Sequence, residues 1–159
     1  MLRHTIAALA LLIAAASPAH AQIQRSYYTD PYGYFTTDAQ FEAWYSLRAR
    51  LASAFDEVCG DTFCEGDFSN ITPLRFQCSV QHGSGRIGGC VWSFAASNED
   101  IDPATGGMEV QQPTWQCPIP LAPHTTIDAL LAALAGDDPL HTPLPGTPLS
   151  VYDGLLHCL

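Results

Sequence analysis

Leu74-Arg75-Phe76-Gln77-Cys78-Ser79-Val80 alternates apolar and polar side chains, as a half-buried β-strand must, and Cys90-Val91-Trp92-Ser93-Phe94 does the same. Between them lies His82-Gly83-Ser84-Gly85-Arg86, a glycine-rich turn. Pairing residues whose numbers add to 168 sets Leu74 opposite Phe94, Phe76 opposite Trp92 and Cys78 opposite Cys90. All six then share one face, and a three-residue loop, Gly83 to Gly85, closes the hairpin. A slip of one residue would turn that apolar set to solvent. Gly83-Ser84-Gly85-Arg86-Ile87-Gly88 also matches the glycine fingerprint of dinucleotide sites. That fingerprint requires a helix after it, within a parallel βαβ unit, and here a strand follows.

Upstream, Thr37-Asp38-Ala39-Gln40 is a capping box, and Phe41, Trp44, Leu47, Leu51, Phe55 and Val58 recur every three or four residues. The spacing predicts a long helix with one apolar stripe, ended by Gly60 in a left-handed cap. Downstream, a third strand is expected from Met108 to Gln112, with Met108 and Val110 extending the core face of Phe94 and Trp92. Pro113 interrupts it before Trp115 and Cys117. Thr125 or Thr126 caps a short helix, Ile127 to Ala135, stopped by Gly136. Residues 136–148 are proline-rich and loop-like, and Ser150-Val151-Tyr152-Asp153 opens a last helical turn or two ending at Cys158. The expected fold is α+β: a long N-terminal helix packed on a three-stranded antiparallel meander, with short C-terminal helices and disulfide staples.

The N-terminus reads as an export signal. Arg3 precedes an apolar run, Ile6 to Ala16, and Ala19-His20-Ala21 offers a cleavage site before Gln22. The run is too short for a permanent membrane anchor. Residues 1–21 are thus read as a signal peptide, 22–36 as an arm rich in tyrosine, and 37–159 as a single α+β domain. Asp30-Pro31-Tyr32-Gly33 supplies a turn in the arm, whose rings are expected to lie across the core. The localisation that follows is secreted or periplasmic.

Export makes the six cysteines a disulfide framework. Cys78–Cys90 follows from the register, while Cys59–Cys64 and Cys117–Cys158 follow from proximity and elimination. A zinc site would place close cysteine pairs twice along the chain, and only Cys59 and Cys64 are close. No cofactor and no metal is assigned.

After cleavage the chain holds five arginines, no lysine and sixteen acidic residues, a net charge of −11 with histidine neutral. Such a chain is repelled by nucleic-acid phosphates and anionic lipid, and is steered toward basic proteins. The same acidity also serves solubility.

Asp56, Glu57, Asp61, Glu65 and Asp67 cluster around Cys59 and Cys64, and two of them fall at the negative end of the long helix. Asp56, Asp61, Glu65 and Asp67 are therefore the candidate partner-binding residues. A second cluster, Asn98, Asp100, Asp102 and Glu109, matches positions 1, 3, 5 and 12 of an EF-hand loop. Pro103 stands where that loop needs glycine, so a polar hairpin connection is expected instead. Ser84 beside His82 lacks the strand-to-helix turn of a nucleophile elbow. His124, His141 and His157 lack metal-ligand spacing, and no catalytic residue is assigned. Asn70-Ile71-Thr72 is a glycosylation sequon, relevant only in a eukaryote, and the short alanine-rich signal points to a bacterium. The leading expectation is a non-enzymatic exported binding protein, of inhibitor or immunity type, for a basic partner. The alternatives are a small carboxylate-dependent hydrolase, with calcium as a variant, and a structural envelope component docking through its tyrosines.

Overall fold

The computed structural model describes residues 27–159. The expected signal peptide, its expected cleavage site and residues 22–26 of the expected arm lie outside the described residues. The class is α+β, with three disulfides, Cys59–Cys64, Cys78–Cys90 and Cys117–Cys158.

The long helix, α2 (Asp38–Val58), is built as its sequence dictates. Thr37 Oγ1 accepts from the Gln40 N–H, while Gln40 Oε1 accepts from the Thr36 N–H, one residue before the expected reciprocal partner. Trp44, Leu47, Leu51 and Phe55 are buried, and Phe41 and Val58 flank them half-buried. Two elements precede α2, so it is not the first. They are β1 (Tyr28–Thr29) and a one-turn helix, α1 (Pro31–Tyr34), capped by the Asp30 carboxylate.

The hairpin comprises β2 (Thr72–Gln81) and β3 (Ile87–Ala95). Phe76 faces Trp92, and Cys78 faces Cys90. The aromatic face meets the helix stripe: the Trp44 and Phe76 rings are 5.6 Å apart, and Phe55 and Phe94 are 4.8 Å apart. Trp92 and Phe94 are buried.

The register departs from the expected one at both ends. Pro73, not Leu74, lies opposite Phe94, so Leu74 is an extra residue in a bulge and is 57% exposed. Proline has no N–H to give a ladder and is accommodated at bulges. At the other end Val80 faces Ile87, which leaves Gly88 as the extra residue. The loop is consequently His82 to Gly85, with the Gln81 N–H donating to the Arg86 carbonyl. Gly85 has φ +68° and lies against the Tyr34 hydroxyl, so a side chain is excluded there twice over.

Three further expectations are corrected. Gly60 does not form a left-handed cap; α2 runs into a π-helical turn, Cys59–Phe63, closed by the Cys64 N–H on the Cys59 carbonyl at 2.7 Å. The Cys59–Cys64 bridge spans that same five-residue step, which favours i→i+5 bonding over a left-handed exit. The sheet has four strands in the order β1-β2-β3-β6, because Tyr28 and Thr29 add to the β2 edge and β6 (Thr114–Pro118) pairs with β3. The Met108 segment is not part of that sheet. It forms β5 (Met108–Gln111), pairs with β4 (Asn98–Ile101), and leaves Met108 and Val110 exposed.

The C-terminal part closes the core. Thr126 caps α3 (Ile127–Ala133), and the Arg50 guanidinium binds the carbonyls of Leu134, Ala135 and Gly136 at its end. Ser150 and Asp153 form the expected capping box of α4 (Val151–Leu156). No helix among the described residues is long and apolar enough to cross a membrane.

Candidate acidic interface

Asp56 lies near the end of α2, Asp61 in the π-helical turn, and Glu65 and Asp67 in the bends beyond Cys64. Apolar residues between them fix the path of the chain. Phe63 stacks on Phe55 at 5.7 Å, Phe68 meets Trp115 edge-on at 5.7 Å, and Cys59 and Ile71 are buried. The segment is thereby pinned at every apolar residue, and its acids face water. All four candidates are exposed. Among the described residues, no three His, Cys, Asp or Glu side chains converge closely enough to hold a metal ion.

Three of the arginines are engaged elsewhere. Arg48 donates to the Tyr32 hydroxyl, Arg50 to the carbonyls closing α3, and Arg75 to Gln77. The ion pair found among the described residues is His141 with Asp138, so no arginine there neutralises a carboxylate. The last turn of α2 likewise carries no basic residue to offset the partial negative charge of its carbonyls.

The base of the strand pair that carries the second acidic cluster is tied to the chain just after the first. Pairs in β3–β6 have numbers adding to 209, and those in β4–β5 add to the same total, so the second pair prolongs the first in register beyond an interruption at residues 96–97 and 112–113. This outer ribbon carries Glu99, Asp100, Asp102 and Glu109, all exposed. The Asn70 side chain ties the acidic segment to the base of this ribbon: Oδ1 accepts from the Ser97 N–H at 3.0 Å and Nδ2 donates to Ser97 Oγ at 3.1 Å. The sequon asparagine is thus a structural clamp.

Asp102 organises the ribbon turn, accepting from the Ala104 N–H at 2.8 Å and from the Thr105 hydroxyl at 2.6 Å. The Thr105 hydroxyl and then the Ala104 N–H hold its carboxyl below the ordinary value. Among the other polar side chains singled out by sequence, Ser84 donates to Gln81 Oε1 at 2.6 Å and accepts from the Arg86 N–H, which makes it a turn residue. His82 stacks on Tyr27 at 4.6 Å. A groove of about 250 Å³ between α2 and β2, lined by Tyr45, Arg48, Leu74 and Trp92 among others, contains no carboxylate.

Sequence reasoning missed the exposed apolar residues Ile101, Met108 and Val110, and the Asn70 clamp. Trp115 faces Phe94 and Cys117 faces Trp92, so the odd-numbered residues of β6 share the core side, but beyond Pro113 every residue of β5 is exposed, odd and even alike. Comparison with protein-family models, curated proteins and solved structures returns no match for this chain.

Proposed function

We propose that the protein is an exported, non-enzymatic binding protein, of inhibitor or immunity type, whose acidic end captures a basic protein in the periplasm or outside the cell. The observation that carries this reading is the unneutralised charge: the arginines that bind side chains or carbonyls do so away from Asp56, Asp61, Glu65 and Asp67, which stay exposed on a disulfide-held segment. Desolvating such carboxylates against a cationic surface relieves their repulsion, and a rigid backbone loses little entropy on docking.

The test is a pull-down from the exported fraction of the producing cells at low and at high salt. It is repeated with Asp56→Asn, Asp61→Asn, Glu65→Gln and Asp67→Asn combined. A basic protein retained by the native chain at low salt, and lost with the variant or at high salt, supports the reading. Equal retention in every arm refutes it.

A further inference from the structure

The outer ribbon, β4–β5, is exposed on both faces. Successive residues of a strand alternate sides, so the Ile101–Met108 and Glu99–Val110 pairs share one face of the ribbon, and Asp100–Glu109 and Asn98–Gln111 the other. Ile101 and Met108 are a direct cross-strand pair, each 68% exposed, and Val110 beside them is 54% exposed. Asp100 stands directly opposite Glu109, a like-charge pairing that opposes the ribbon's own formation. A two-stranded hairpin is marginally stable alone, and three large apolar residues on its free face hold nothing else in place. Neither feature benefits the isolated fold.

We infer that the β4–β5 ribbon is the anchoring part of the interface, with Ile101, Met108 and Val110 inserting into an apolar recess on a basic protein partner while Glu99, Asp100 and Glu109 meet cations around it. This rests on the binding reading above and names the contact that gives it affinity. Charge selects the occupant. The ribbon carries four carboxylates and no basic residue from Asn98 to Gln111, so a second copy of the chain or an anionic lipid surface would be repelled. A cationic rim around an apolar pocket is complementary to both of its faces. The Asn70 clamp ties the base of the ribbon to the chain three residues after Asp67, a link through which one partner can reach both.

The experiment places a photo-crosslinking amino acid at Met108, at Asp67 or, as a control, at the exposed Leu156 of α4, in the full chain exported by the producing cells. The captured protein is identified by mass spectrometry and purified. Its affinity is then measured for the native chain and for Ile101→Ser, Met108→Ser and Val110→Ser combined. The expected result is a basic protein captured at Met108 and not at Leu156, with affinity lowered at least about tenfold by the triple variant and an unchanged melting temperature. Capture at Asp67 without capture at Met108 would overturn the ribbon while leaving the acidic-end reading standing. Capture at neither position would overturn both. Crosslinking at Met108 to a second copy, to lipid or to an acidic protein, or undiminished affinity of the triple variant, would also overturn the ribbon inference.

Discussion

Asp102, Asp138 and Asp153 each accept hydrogen bonds that exist only in the folded chain. At Asp153 the donors are the Ser150 N–H and hydroxyl, both at 2.7 Å, which lower its carboxyl pKa. At Asp138 partial burial acts upward, but the His141 ring and backbone N–H more than offset it. A carboxyl whose folded pKa is depressed adds stability that is complete above its unfolded value, about 3.9, and disappears as pH falls through the folded value. Thermal melts should therefore be level in the mildly acidic range and drop below about pH 4, and the drop should shrink in Asp138→Asn. Ser150→Ala removes the cap of α4 and is expected to cost about 1 kcal/mol, measured by denaturant unfolding. Caps of this kind are legible in sequence because donor and acceptor are three residues apart, as with Thr37, Thr126 and Ser150. Arg50 is the contrary case, since its carbonyl partners lie more than eighty residues away and no local pattern announces them.

At the level of elements, the helix stripe and the Phe76–Trp92 and Cys78–Cys90 pairs follow from periodicity and register alone. What periodicity does not contain is a bulge, because one extra residue changes the side of everything beyond it without changing composition. Leu74 shows the consequence. Treated as a core residue, it would resist substitution, but in the bulge Leu74→Ser should change stability by less than about 0.5 kcal/mol. Phe76→Ala, two residues on and buried, should cost about 3–5 kcal/mol by the same unfolding measurement. A large loss at Leu74 would restore the unbulged register. The error at Met108 and Val110 has a related origin. Apolar character argued for the core, but β5 pairs only with β4 in a ribbon exposed along its length, so neither side chain reaches it.

For the whole molecule, three bridges fasten different parts of the chain. Cys59–Cys64 closes a separation of 5 residues, whereas Cys117–Cys158 closes one of 41 and ties the C-terminus to β6. Constraint on the unfolded chain grows with loop length. Replacing Cys117 and Cys158 by alanine should therefore cost about 2–5 kcal/mol, and more than the same change at Cys59 and Cys64. Denaturant midpoints of the two double variants test the order.

The acidic clusters were legible as composition, but the link between their segments was not, since it depends on Asn70 reaching Ser97 across 27 residues. Both clusters are exposed and hold no basic residue of their own, and electrostatic capture of a basic partner is the claim that follows. Attraction of this sort acts before contact, so it governs association and is screened over a Debye length of about 8 Å at physiological salt. The direct measurement is the association rate constant of the captured partner as a function of ionic strength, for the native chain and for the variant neutralised at Asp56, Asp61, Glu65 and Asp67. A rate that falls steeply with salt, with the neutralised variant slower and less salt-sensitive and dissociation little changed in either, is the predicted result. An association rate indifferent to both salt and neutralisation would contradict it.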